Sequence, residues 1–175
     1  MIYSFDPGHQ QVGYACMDPI TEKICAWGLL SRDPEMRSYF FSDMKDIVTG
    51  TKDWPFPITV ALIEGQYIKK ARSSKVQTAI AAATLKVRTV AIEILTVFEL
   101  FDVDCHLVHP KTWQGIFKKE HGWLFGYPKS SPDVKEASKK MAEEVTGAKF
   151  TKSLQDMADA ICIMHWYKTI GKEQL

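Results

Sequence analysis

The chain has 175 residues, 46% hydrophobic and 25% charged, which is near the usual size of one folded unit and excludes a disordered, collagen-like or disulfide-dense miniature protein. Lys and Arg number 22 against 21 Asp and Glu, a net charge of +1, so a nucleic-acid partner would have to be held by local charge and not by a global field. A single domain spanning 1–175 is expected.

Ile2 to Phe5, Val12 to Met17 and Lys23 to Leu30 are short runs of β-formers separated by Asp6-Pro7-Gly8 and Asp18-Pro19, which reads as three sequential strands in a meander. Asp33-Pro34-Glu35 suits the first turn of a helix reaching about Val48, and Pro55 and Pro57 close that region. Ile58 to Ile63 is apolar or Thr without alternation, the pattern of a strand covered on both faces. Val76, Ile80, Ala83, Val87, Val90, Ile94 and Phe98 then recur every three or four residues, one helical stripe, before a second β-run at Cys105 to Val108. This is a βαβ unit. From Pro110 to Pro132 the chain is aromatic and basic, with Trp113, Phe117, Trp123, Phe125 and Tyr127, read as a short helix and then a mobile loop. Pro132-Asp133 starts another helix ending near Gly147, and Ser153 starts a last one to about Lys168. The order is βββαβαβαα, without internal repeats.

The N-terminus meets Asp6 too early for a secretory signal, and the least polar stretch, Ala79 to Leu100, carries Lys86, Arg88, Glu93 and Glu99. Neither export nor a membrane span is expected, and a cytoplasmic location is. Cys16, Cys25, Cys105 and Cys162 show no paired spacing and are read as buried reduced thiols.

Asp6 closes the first strand and Glu64 the buried strand, so both carboxylates point from C-terminal strand ends, where open α/β sheets bind ligands. Asp156 and Asp159 lie three apart on one face of the last helix. A bland reading exists for each: Asp6 starts a turn with Pro7-Gly8, and Ser153-Leu154-Gln155-Asp156 fits a capping box. Gathered in one pocket, the four acids would repel one another and call for cations; oxygen-only ligands favour Mg²⁺ or Mn²⁺, and a pair of such ions suits phosphodiester cleavage. Between Glu64 and Glu93 there is no acid, whereas Lys69, Lys70, Arg72, Lys75, Lys86 and Arg88 supply positive charge, either a solvated helix face or a phosphate-binding surface.

Phe5-Asp6-Pro7-Gly8 with Gly13-Tyr14-Ala15, then Leu62-Ile63-Glu64, then Asp156-Met157-Ala158-Asp159-Ala160 resemble the successive signatures of RuvC-type Holliday-junction resolvases, over nearly the whole chain. The resemblance implies an RNase H-like three-layer α/β fold with a five-stranded mixed sheet, three strands antiparallel and then two parallel, the first and fourth adjacent. It implies two Mg²⁺ ions on Asp6, Glu64, Asp156 and Asp159, a wedging aromatic at Tyr67 and phosphate-binding bases at Lys129 and Lys135; the basic run beside Glu64, with Lys69, Lys70, Arg72 and Lys75, is expected to contact DNA. It further implies a homodimer that nicks four-way DNA in the cytoplasm of a bacterium or of a phage-infected host, the chain being closer to divergent phage-encoded members. Two alternatives remain open: an RNase H-like nuclease for other branched DNA or RNA, and a non-cleaving DNA-structure-binding protein of the same fold.

Other signals are set aside. Gly8 and Gly13 have half a P-loop spacing but lack its Lys-Ser/Thr. Cys105, His106, His109 and His121 are too irregularly spaced for zinc. An actin-like ATPase would need far more chain.

Overall fold

The computed structural model describes residues 1–33, 35, 37–50, 57–65, 74–121 and 131–175, and the backbone alone for residues 37–38, 74–80, 117–121 and 131–133. Strands β1 (Ile2–Pro7), β2 (Gln11–Met17) and β3 (Ile24–Ser31) form the expected antiparallel meander. Its second turn is closed by Asp18, whose carboxylate accepts bonds from the Ile20 amide and the Thr21 hydroxyl at 2.8 Å each. β4 (Val60–Glu64) pairs parallel with β1, and β5 (Asp104–Val108) parallel with β4, giving the order β3-β2-β1-β4-β5. The first and fourth strands are therefore neighbours, as the resemblance implied.

Five helices complete the described chain: α1 (Arg37–Thr49), α2 (Ser74–Glu99), α3 (Pro110–His121), α4 (Ser131–Thr146) and α5 (Gln155–Thr169). The two-residue period of the strands sorts their side chains into two cores. Tyr3, Phe5, Val12, Cys16, Ala61 and Ile63 pack with Phe40 and Met44 of α1 and with Val90, Ile94 and Phe98 of α2. Ile2, Ala15, Met17 and Leu62 pack on the opposite face with Trp113 of α3, Met141 of α4 and Ile161 and Trp166 of α5. Helices thus cover both faces of the sheet, and β4, buried from Ala61 to Glu64, is the doubly covered strand its unbroken apolar run required.

Several boundaries differ from the sequence reading. α1 begins at Arg37 and not at Asp33, because the Asp33 carboxylate accepts the Glu35 amide at 3.0 Å and holds the chain in a side-chain turn ahead of the helix. The short helix after β5 is a full one, α3, whose entry is fixed by the Lys111 amide donating to His109 Nδ1 at 3.0 Å. The stripe on α2 is buried at Val90, Ile94 and Phe98, but Ala83 is exposed and Val87 only half-buried. The mobile loop read into 122–130 lies outside the described residues. Among the described residues no helix is long and apolar enough to cross a membrane.

Candidate active site: four carboxylates at the β1–β4 edge

Even-numbered positions of β1 face α5, so Asp6 follows Ser4 onto that side of the sheet, and Glu64 follows Leu62 there on β4. In the parallel register Phe5 pairs with Ile63, so Asp6 and Glu64 are the next residues of adjacent strands, at their C-terminal ends. They retain only 8% and 5% of their surface. Burial beside Glu64 disfavours ionisation of Asp6.

The two acids of α5 reach this point because glycines let the helix come close. Gly13 lies opposite Asp6 in the β1–β2 register, and a Cβ there would stand 2.0 Å from the Asp156 carbonyl oxygen and 2.6 Å from the Met157 nitrogen. A Cβ on Gly8 would stand 2.4 Å from Asp156 Oδ2. Only glycine fits either place. The Ser4 hydroxyl, buried between the layers, donates to the Ala160 carbonyl at 2.7 Å and ties β1 to α5 at the same level.

The electrostatics record the convergence. The Asp6 carboxyl is pushed well above the usual carboxylate range, first by burial, then by Glu64, Asp159 and Asp156, with Lys135 of α4 acting in the opposite sense. Asp159 is raised to about 6, chiefly by burial and also by Asp156, against hydrogen bonds from Ser138 and Gln155 and the charge of Lys135; the Gln155 Nε2 to Asp159 Oδ1 bond is 2.9 Å. Asp156 is raised by burial and partly relieved by Gln11 and Lys135. Glu64 accepts the indole N–H of Trp113, itself 1% exposed, at 2.8 Å.

All four sequence-predicted acids are therefore brought to one place, and Lys135 with them. Among the described residues, however, no three Asp, Glu, His or Cys side chains stand close enough to hold one ion as they are. Glu64 is drawn onto Trp113, Asp156 towards Gln11, and Asp159 onto Gln155, so that mutually repelling acids rest on neutral donors. The donor set still suits a hard divalent cation: it is all oxygen, and burial raises Asp6, Asp156 and Asp159, with neighbouring acids adding to the shift of Asp6 and Asp159, a cost that positive charge would relieve.

The capping-box reading of Asp156 is overturned. A 3-10 turn, Lys152–Leu154, precedes α5, the helix carries no side-chain cap, and Ser153 Oγ bonds to Thr151 Oγ1 at 2.9 Å; Asp156 is engaged with the β1–β2 turn instead. Tyr67, Lys69, Lys70, Arg72 and Lys129 lie outside the described residues, and of Lys75 only the backbone is described. Trp113, Gly13, Gln11, Ser138 and Gln155 were not read as site residues from sequence. Trp113 stood in the aromatic run and Gly13 in a motif examined for phosphate binding, but their partners come from elements far off in the chain.

The sheet order and its flanking helices define an RNase H-like fold of the RuvC resolvase type. The chain superposes on Thermus thermophilus RuvC in complex with a Holliday-junction substrate with a TM-score of 0.51 and 11% identity, covering 97% of this chain and 95% of that one. It superposes on the fowlpox virus resolvase in complex with its Holliday-junction substrate DNA with a TM-score of 0.52 and 15% identity, covering 99% and 98%. A further Thermus thermophilus RuvC structure gives 0.51 and 13%, covering 97% and 96%. No protein-family model and no curated protein matches the sequence.

Proposed function

We propose that the chain is a structure-selective endodeoxyribonuclease that resolves four-way DNA junctions by paired, divalent-metal-dependent phosphodiester hydrolysis. The observation that carries this reading is the convergence of Asp6, Glu64, Asp156 and Asp159 at the C-terminal edge of β1 and β4, with the Asp6 carboxyl pushed well above its ordinary range by burial and by the other three. The likeness in fold to proteins solved with Holliday-junction DNA supports the substrate class.

Asp6, Glu64, Asp156 and Asp159 would hold two Mg²⁺ ions, for which Mn²⁺ would substitute. When bound, such ions polarise a phosphodiester and lower the pKa of an attacking water. The chain's own residues prepare that chemistry. Trp113 fixes one oxygen of Glu64, while Gln155 fixes one of Asp159, and orienting neighbours of this kind matter to metal affinity. Lys135, exposed at the start of α4, offers a positive charge to the anionic substrate beside the acids. Tyr67 would wedge into the junction centre, Lys69, Lys70, Arg72 and Lys75 would follow its phosphates, and Lys129 would join Lys135.

Two cuts on symmetric strands call for a twofold homodimer. The outer face of α2 suits such a contact: Leu85 and Ile92, two turns apart, are 52% and 55% exposed. The discriminating test sets wild type and Asp6→Asn against labelled four-way junction, duplex and RNA–DNA hybrid, with Mg²⁺ and with chelator. Paired, symmetric, Mg²⁺-dependent nicks on the junction that vanish in Asp6→Asn are expected. Preference for the hybrid would reassign the substrate, and equal nicking by Asp6→Asn would remove Asp6 from the chemistry.

A further inference from the structure

We propose that Cys16 and Cys25 form a redox-modification site, a dithiol that a peroxide converts to an intrachain disulfide across the β2–β3 hairpin. The two thiols are nine positions apart in a spacing that suggests no pair, yet the strand register makes one. Cys16 pairs with Ala26 and Met17 with Ile24, so the ladder skips Cys25 and leaves it as the extra residue of a bulge. That bulge brings Cys25 Sγ to 3.7 Å from Cys16 Sγ and 3.4 Å from the Cys16 carbonyl oxygen.

The two members differ as the chemistry requires. Cys25 is exposed and open to a dissolved oxidant, whereas Cys16 is fully buried beneath it. The sulfurs must approach from 3.7 Å to the roughly 2.05 Å of a disulfide. β3 allows this because it is an edge strand, bonded to the sheet through β2 alone, and the bulged residue is the one least constrained by the ladder. The other two cysteines lack such an arrangement: Cys162 is buried and donates to the Ser138 carbonyl at 3.3 Å, and Cys105 is half-buried on β5 at the opposite end of the sheet.

The reaction balances with one peroxide. The Cys25 sulfur attacks the O–O bond and takes one oxygen as a sulfenic acid, while the other oxygen leaves and becomes water with the thiol proton. The Cys16 sulfur then attacks the Cys25 sulfur, an S–S bond forms as the S–O bond breaks, and the departing oxygen leaves as a second water with the Cys16 proton. Two thiols lose two electrons and two protons, and the peroxide is reduced to two waters. Burial pushes the Cys16 thiol up to about 12, against a hydrogen bond from the Tyr3 hydroxyl, which suits Cys16 to the second, resolving step and leaves the first to exposed Cys25.

The test treats the full chain with hydrogen peroxide at neutral pH under non-reducing conditions and maps its peptides by mass spectrometry. Expected are a Cys16–Cys25 crosslink within one chain, two hydrogens lighter and reversed by thiol reductant, at least tenfold more abundant than any other cysteine pair. In Cys16→Ser, Cys25 should be trapped as sulfenic acid by a dimedone-type probe, and in Cys25→Ser the crosslink should be absent with Cys16 unmodified. Cys25 is exposed, so its replacement leaves the core intact. Oxidation of Cys25 without crosslinking in wild type, crosslinks only between chains, or Cys105 and Cys162 reacting as readily would each overturn the proposal.

Discussion

Adding one methyl group at Gly13 isolates the close approach that brings α5 to the strand acids. The atoms its Cβ would meet are all backbone: the Asp156 carbonyl oxygen at 2.0 Å, the Asp156 carbonyl carbon at 2.2 Å and the Met157 nitrogen at 2.6 Å. Ordinary contact begins near 3.4 Å, so Gly13→Ala demands that helix and strand separate by more than an ångström. No rotamer can relieve the clash, and α5 is held by the Ser4–Ala160 hydrogen bond and by its buried Ala158, Ile161 and Cys162. Overpacking of this kind costs about 1–3 kcal/mol, or a fall in Tm of roughly 2–12 °C for a chain of this size. The same displacement moves Asp156 and Asp159 away from Asp6, and a misplacement of about 1 Å costs roughly 10²-fold in rate. Single-turnover cleavage of a labelled four-way junction and thermal melting measure the two effects, with junction affinity unchanged. Gly115→Ala is the control, since a Cβ there meets nothing within 4 Å and alanine favours the helix it occupies. A Gly13→Ala protein with wild-type melting and rate would refute the packing account of how the acids converge.

Trp113→Phe keeps the buried ring and removes the N–H that Glu64 accepts; Mn²⁺ affinity measured by calorimetry should fall by about 10–100-fold with far-UV circular dichroism unchanged, and equal affinity would show that the bond does not orient Glu64. The pH dependence of the metal-free protein follows from Asp159, raised to about 6 from an ordinary 3.8. A carboxyl raised in the fold adds no penalty below its unfolded pKa, destabilises progressively as the pH climbs through the interval, and exerts its full cost above about 6. Asp159→Asn should therefore melt higher than wild type at pH 7 but not at pH 4, the gap growing by at most about 1.4 kcal/mol per pH unit; a gap independent of pH would contradict the assignment. Replacing Lys69, Lys70 and Arg72 together by Gln should weaken binding to junction and duplex alike and reduce the salt slope by about 3, whereas an unchanged slope would move the DNA path elsewhere.

The layers of the fold were legible because they rest on patterns that tertiary context reinforces. The run of apolar residues and one Thr from Ile58 to Ile63, without alternation, marked the central strand, and the three-and-four spacing through Val90, Ile94 and Phe98 marked α2. Of the candidate site, the strand-end places of Asp6 and Glu64 and the shared helix face of Asp156 and Asp159 were legible from pattern, while their assignment to one set came from the resemblance in motif. What supports those acids was not. Trp113 meets Glu64 across 49 positions, and Gly13 matters because of a helix that begins at Gln155; neither relation leaves a local pattern. Ser153-Leu154-Gln155-Asp156 has the composition of a capping box, but packing of Asp156 against Gly8 and Gln11 prevailed over the local option. The four cysteines were read as buried from their lack of paired spacing, yet Cys105 is half-buried and Cys25 is exposed, the latter on a bulge that no spacing in the sequence marks.

The convergence of four acids on shared cations is tested most directly by anomalous diffraction from crystals of the chain soaked in Mn²⁺. The account predicts manganese peaks bounded by Asp6, Glu64, Asp156 and Asp159, with Glu64, Asp156 and Asp159 turned from their present neutral donors onto the ions. Manganese bound elsewhere, with Glu64 still on Trp113, Asp156 still beside Gln11 and Asp159 still on Gln155, would contradict it.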